Sequence, residues 1–429
     1  MQIKHRALHR FLVLFLFLSL VLPGFAAAFF QANPSDVYDR IEARIRMRDD
    51  VRLYTEIYVP RDVKAPLPFL MIRTPYNATG TAQRLNGSLR ELANERYIFV
   101  FQDIRGRYKS QGTFMMMRPP SKDLKGIDEG TDAYDTIEWL LNNVRSNNGR
   151  VGIFGVSYPG WLTVMAMLNP HPALKAASPQ ASPGDMFLGD DFHHNGAFRL
   201  SYGFEYAFRM EASSRDTAFV FDQYDTYEWY LKLGPLSNVN AKYFHGAIPT
   251  WNNYGEHPNY DEFWQNLSVL PHLTRVTVPA LHVVGWWDQE DFFGPLKIYE
   301  ELEKHDMNNQ NFLVAGPWNH GGWNWPRGDK LGNVDFDSTA PSLYFRERIQ
   351  APWFAYHLKD KDSLNLPEAH TFQTGANRWM SYDTWPPRSH FAMRNLYLHP
   401  GGNLSFEPPS AEGESFTSYL SDPRWPAPY

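Results

Sequence analysis

Five short apolar runs constrain this chain more than anything else in it. They are residues 68–72 (PFLMI), 97–101 (YIFVF), 151–154 (VGIF), 280–284 (ALHVV) and 312–315 (FLVA), and each ends in a polar residue or a glycine. Runs this short that are apolar on both sides of the pleat suit strands buried on both faces. Between them, residues 131–144 carry Tyr134, Ile137, Leu141 and Val144 at helical spacing, with Thr131 as a candidate cap, and 161–168 is an apolar helix. Strand and helix in alternation predict a parallel sheet covered by helices on both faces. An alternating stretch with Ile45 and Met47, a turn at Asp49-Asp50, and a second one from Val51 to Val59 predict an antiparallel hairpin ahead of that sheet.

The first 28 residues read as a separate leader. Lys4, Arg6 and Arg10 precede the apolar stretch 11–22, which is followed by Pro23, Gly24 and Ala26-Ala27-Ala28. That is the layout of a cleavable secretory signal, and the apolar core is short against the roughly 20 residues of a spanning helix. A periplasmic or secreted protein with no stable membrane span after cleavage is the expectation. The chain has no cysteine, so an oxidising compartment would find nothing to pair. Net charge is −6, and no Lys/Arg run follows the first ten residues, so nucleic acid is not an expected partner. Aromatics and charges intermix from about 190 to 272, which predicts a helical insertion over the sheet's top edge. Residues 344–358 read as a helix interrupted by Pro352. The resulting division is 1–28 leader, 29–189 first part of the core, 190–275 helical cap, 276–360 second part of the core, and 361–429 a β-rich C-terminal region.

Ligands of open parallel sheets collect beyond the carboxyl ends of the strands, and four clusters fall there. Gly155-Val156-Ser157-Tyr158-Pro159-Gly160 follows one predicted strand and opens a helix. A serine on such a turn presents its hydroxyl at the sheet top, and the next backbone N–H, from Tyr158, can stabilise an oxyanion. The motif departs from the usual five-residue form, with Pro159 two residues after the serine and glycine only at 160; a serine capping a helix would also sit here. Gly285-Trp286-Trp287-Asp288-Gln289-Glu290-Asp291 supplies an acid at the next strand end, although acids also favour helix starts. Gly316-Pro317-Trp318-Asn319-His320 places a histidine on a glycine-bounded loop. Ser157, Asp288 and His320 thus follow one another in the chain order of the α/β-hydrolase fold. Arg73-Thr74-Pro75-Tyr76 ends a further strand, where Tyr76 could lend a phenolic hydroxyl to the oxyanion. No HExxH, cysteine pair or Walker loop is present, and neither a metal nor a cofactor is expected.

Gly155–Gly160, Thr74-Pro75-Tyr76, Gln102-Asp103-Ile104-Arg105-Gly106-Arg107 and Gly316–His320 together resemble the family of cocaine esterases, Xaa-Pro dipeptidyl-peptidases and glutaryl-7-aminocephalosporanic acid acylases. Within it the chain is most similar to the α-amino acid ester hydrolases, or β-lactam antibiotic acylases, over nearly all of 37–429. The resemblance implies an α/β-hydrolase core, a helical cap and a C-terminal jelly roll. It implies Ser157 as nucleophile, Asp288 as acid, His320 as base, and Tyr76 with the Tyr158 N–H as oxyanion donors. It further implies a carboxylate cluster for a substrate's α-ammonium group: Glu290 and Asp291, with Asp191 preferred over Asp190 as the third member. The substrate expected is a small α-amino acyl ester or amide, including β-lactam antibiotics, with acyl transfer to an amine as an additional outcome.

One departure from the family pattern concerns length. Residues 371–387 (TFQTGANRWMSYDTWPP) look like the opening of the jelly roll, and the chain stops at Tyr429, so a truncated β-domain is the expectation. Other readings are an Xaa-Pro dipeptidyl-peptidase-like or cocaine-esterase-like hydrolase, and a non-catalytic truncated remnant. Oligomeric state, homo-oligomers included, is left open by the sequence.

Overall fold

The structure, a computed structural model, describes residues 34–123, 125–361, 364–389, 392–410, 416, 418–422 and 424. The leader expected at 1–28 lies outside the described residues. Among those described, no helix is long and apolar enough to cross a membrane.

A ten-stranded sheet organises the molecule. Its strands along the chain are β1 (Tyr38–Arg46), β2 (Arg52–Pro60), β3 (Leu67–Thr74), β4 (Ile98–Asp103), β5 (Asn147–Val156), β6 (Leu174–Gln180), β7 (Ala280–Gly285), β8 (Asn311–Gly316), β9 (Ala369–Gln373) and β10 (Arg378–Tyr382). Their order across the sheet is β1-β2-β4-β3-β5-β6-β7-β8-β9-β10. Every neighbouring pair from β4 to β9 is parallel. The hairpin β1–β2 and the last pair β9–β10 are antiparallel, as is the contact of β2 with β4. All five apolar runs are strands of this sheet, which is the α/β architecture expected.

Alternation along the strands splits the interior in two. Phe69 and Met71 of β3, with Ile98 and Val100 of β4, face a core shared with α1 (Glu129–Asn143) and α2 (Tyr158–Leu168). Leu70, Ile72, Phe99 and Phe101 face the opposite core, filled by Trp353, Phe354 and Leu358. The α1 helix begins earlier than predicted. Asp128 is its N-cap, accepting the Thr131 N–H at 2.7 Å, while the Thr131 hydroxyl accepts the Asp128 N–H at 2.9 Å. Thr131 is therefore the third helical residue of a capping box, not the cap.

Between residues 190 and 272 the chain forms α3 (Leu200–Glu211), α4 (Thr226–Leu233), α5 (Pro249–Glu256) and α6 (Glu262–Leu267). Their mutual contacts are aromatic, with Phe204 packed on Phe219, Trp229, Phe244 and Trp251 at ring-centroid distances of 4.7–5.7 Å. This explains the aromatic texture of the segment: the insertion has its own ring-packed core. The sheet resumes with β7 and β8, flanked by α7 (Phe293–Glu303), and α8 (Ala351–Lys359) follows a π-helical turn at Phe345–Gln350. Pro352, lacking an N–H, stands at the second position of α8, directly after the π-helical turn in a helical run that is continuous from 341 to 359.

Two expectations need correction. The segment 174–180 (LKAASPQ) was not read as a strand, yet β6 is central to the sheet. Its small residues let neighbouring helices and strands close over it. The segment expected to open a jelly roll instead supplies β9 and β10, the last strands of the main sheet. Phe372 and Ala369 of β9 are buried, so their apolar surface belongs to this core.

Candidate active site

The turn between β5 and α2 carries Ser157 at φ 68°, a strained conformation for a non-glycine residue. Two glycines make the turn possible. A Cβ on Gly155 would lie 2.4 Å from the carbonyl carbon of Pro159, and one on Gly160 would lie 2.5 Å from the Gln180 carbonyl oxygen. The unusual position of Gly160 is thus explained by packing against β6. The Ser157 N–H donates to that same Gln180 carbonyl at 2.9 Å. Tyr158 is the first residue of α2, so its N–H lacks an intrahelical acceptor. The Tyr158 hydroxyl points away, accepting the Met117 N–H at 3.0 Å in the core, so only its backbone can serve the site.

Asp288 follows β7. Its Oδ1 accepts the N–H groups of Glu290 at 2.9 Å and Asp291 at 3.0 Å, which fixes the carboxylate. His320 follows β8, and its Nδ1 lies 2.9 Å and 3.1 Å from the two Asp288 oxygens. Gly321 packs beside Val156, and the Trp323 indole donates to the Gln180 side chain at 2.7 Å, which brings the histidine loop to the serine turn. The ionic partner of His320 Nε2 is Glu290 Oε2 at 3.6 Å. Among the described residues no hydrogen bond joins Nε2 to the Ser157 hydroxyl, in keeping with the long catalytic contacts common before substrate binds. Burial pulls the imidazole down, but the hydrogen bond and charge of Asp288, with the charges of Glu290 and Asp191, outweigh it and raise His320 to about 9.

The acidic residues fall into two groups. Asp190 is taken up by the backbone: its oxygens accept the N–H groups of Gly184, Asp185 and Gly294 at 2.8–3.0 Å. Asp191 instead accepts the Tyr202 hydroxyl at 2.6 Å, and that hydroxyl also lies 3.2 Å from Glu290 Oε2. Burial lifts Asp191 to about 6, aided by the charge of Glu290 and opposed by Tyr202. Asp291 is fully buried, and neither carboxylate oxygen has a hydrogen-bond partner among the described residues. Burial raises it well above the usual range, and Asp191 is its strongest charged neighbour.

Tyr76 lies two residues beyond β3, with its N–H bonded to Thr74 Oγ1 at 3.0 Å. Its hydroxyl is 2.7 Å from that of Tyr206 and feels the charges of Asp191 and Asp291. Burial raises its pKa, partly offset by the Tyr206 hydrogen bond. Tyr202 and Tyr206 were not singled out in the sequence. They stand four apart on α3, so they share a face, and their rings stack at 5.5 Å. Arg107 was also missed as an individual residue. Fully buried, it donates to the Pro75, Met210 and Ser213 carbonyls at 2.5–3.1 Å and to Asp216 at 2.6 Å, tying the Tyr76 loop to the insertion.

Comparison with known proteins identifies the family. Residues 49–322 match the X-Pro dipeptidyl-peptidase (S15 family). A cocaine esterase from Rhodococcus sp. (strain MB1 Bresler) is 28% identical over 413 residues, covering 90% of this chain and 67% of that protein. The structure of an aminopeptidase from the marine sediment archaeon Thaumarchaeota archaeon superposes with a TM-score of 0.85 at 39% identity, over 91% of this chain and 66% of that one. That of an α-amino acid ester hydrolase gives a TM-score of 0.85 at 35% identity, over 96% and 70%. The chain therefore spans about two thirds of the length of these relatives.

Proposed function

Because the chain belongs to the S15 family of X-Pro dipeptidyl-peptidases and is a serine hydrolase, we propose that it cleaves esters and amides whose acyl group carries a free α-ammonium. The observation that carries this reading is Asp291, a fully buried carboxylate with both oxygens unpartnered, beside Asp191 and Glu290. Leaving a buried charge unpaired is costly, and a substrate cation would supply the missing partner. An ammonium group has three N–H donors and no acceptor, which suits three carboxylates. Similarity to an aminopeptidase and to an α-amino acid ester hydrolase supports the same substrate class.

In this reading the ammonium binds Asp191, Glu290 and Asp291, which sets the carbonyl over Ser157. His320, oriented by Asp288, takes the Ser157 proton as Oγ bonds to the carbonyl carbon. The Tyr76 hydroxyl and the Tyr158 N–H stabilise the developing oxyanion. His320 returns the proton to the leaving group, and water, or an amine such as a β-lactam nucleus, accepts the acyl group from Ser157.

The test is hydrolysis of phenylglycine methyl ester beside its N-acetylated counterpart by the wild type and by Ser157→Ala. The free amine alone is expected to turn over, and the variant is expected to retain less than a few per cent of that rate. Equal turnover of both esters would keep the hydrolase and discard the ammonium site.

A further inference from the structure

The placement of Glu290 between substrate cluster and catalytic base has a consequence beyond binding. Its Oε2 is shared between two groups, the Tyr202 hydroxyl at 3.2 Å and His320 Nε2 at 3.6 Å. Tyr202 has one proton to donate, and its shorter contact, 2.6 Å, is with Asp191. Among the described residues Glu290 Oε2 thus has only the longer share of the Tyr202 hydroxyl, and the nitrogen within its reach is the one that must receive the Ser157 proton.

We propose that Glu290 is a specificity-determining residue that ties amine recognition to base catalysis: it holds His320 Nε2–H while the site is empty and releases it when a substrate ammonium supplies donors in its place. This rests on the ammonium reading given above. The groups around the imidazole are of one sign. Asp288, Glu290 and Asp291 come from the loop after β7, Asp191 from the loop before α3, and Tyr202 from α3. The arginine that acts on Asp191 is Arg199, which donates to the Asp191 carbonyl, whereas Arg209 lies over the Tyr76 ring and is paired with Asp216. A carboxylate-rich surround stabilises imidazolium, and an added cation paired to those carboxylates does the reverse. An ester without the ammonium would meet a protonated histidine that cannot take the Ser157 proton. Selectivity for free amines would then fall on kcat as well as on KM.

The experiment is an NMR titration of the His320 imidazole in the full chain, its signal identified by loss in His320→Gln. The probe is α-methylbenzylamine, a cation without a scissile bond, beside its neutral N-acetyl derivative. Saturation with the amine is expected to lower the His320 midpoint by about one pH unit or more, and the acetyl derivative is expected to leave it in place. Glu290→Gln is expected to start with a lower midpoint and to show less than half of the amine-induced shift. Saturable amine binding with an unmoved His320 midpoint in the wild type would overturn the coupling and leave the ammonium site standing. Absence of saturable amine binding would overturn the ammonium site, and the coupling with it.

Discussion

The hydroxyls of Tyr76 and Tyr206 lie 2.7 Å apart and join the loop after β3 to the first helix of the insertion. A donor to an oxyanion works best when its own oxygen accepts a hydrogen bond, because each polarises the other. Tyr76→Phe is expected to lower kcat by about 100- to 1000-fold, the usual cost of one oxyanion donor. Tyr206→Phe removes only the supporting bond, worth about 1 kcal/mol, and is expected to lower kcat about fivefold. Steady-state kinetics on phenylglycine methyl ester measures both. Equal effects of the two substitutions would mean that Tyr206 does more than support its neighbour.

Asp291 sets stability against activity. A buried carboxylate whose pKa is raised binds protons more readily in the folded state than in the unfolded one, so its ionised form destabilises the fold at neutral pH. Asp291→Asn is expected to raise Tm, because the amide has no charge to desolvate, while lowering the preference for the free amine over the N-acetylated ester. Calorimetry at pH 7 and the ratio of the two rates check the pair of effects.

His320 has the opposite sign. Its folded value, about 9, exceeds the ordinary 6.5, so imidazolium stabilises the fold. That contribution is complete below about 6.5 and is lost as pH rises through about 9. The fall in Tm between pH 6.5 and pH 9 is expected to be steeper for the wild type than for His320→Gln. Parallel curves would remove this group from the account.

The serine turn tolerates no added methyl. With contacts of 2.4 Å and 2.5 Å awaiting a Cβ at 155 and 160, Gly155→Ala and Gly160→Ala are each expected to cost about 1–3 kcal/mol of stability by overpacking. Activity is expected to fall further, since the displaced backbone carries Ser157 and the Tyr158 N–H. Denaturant melts and kcat on one ester separate the two.

Arg107 holds three carbonyls and Asp216 with the planar fork of a guanidinium. A lysine has one nitrogen and cannot reproduce that fork. Arg107→Lys is expected to lower Tm and to expose the loop after α3 to trypsin, with cleavage following Arg215. Unchanged proteolysis would argue against its role as a clamp.

Much of this was legible in sequence because the physics was local. Residues 68–72, 97–101, 151–154, 280–284 and 312–315 are apolar on both sides of the pleat and need no context to be strands. Ser157, Asp288 and His320 each follow such a run, so strand ends located them, and the structure then joins His320 to Asp288. β6 escaped because Ala176, Ala177 and Ser178 earn their place by being small, which periodicity does not register. Tyr202 and Tyr206 were hidden among the many aromatics of 190–272, where most rings only pack on one another. The contact of Glu290 with His320 depends on the side-chain path of a loop, and no spacing rule reaches that far. β9 and β10 were misassigned because a short β-like stretch carries no mark of the sheet it joins.

That last pair bears on how the molecule is divided. The Trp286 indole, two residues before Asp288, donates to the Phe372 carbonyl of β9 at 2.8 Å, and the Trp385 N–H reaches the Tyr299 hydroxyl of α7 at 3.3 Å. The Asp288 loop is therefore moored to residues well past 360. An expression boundary drawn at 360 would cut through the scaffold of the Asp288 loop, whereas one drawn beyond Trp385 would keep those moorings and the whole sheet.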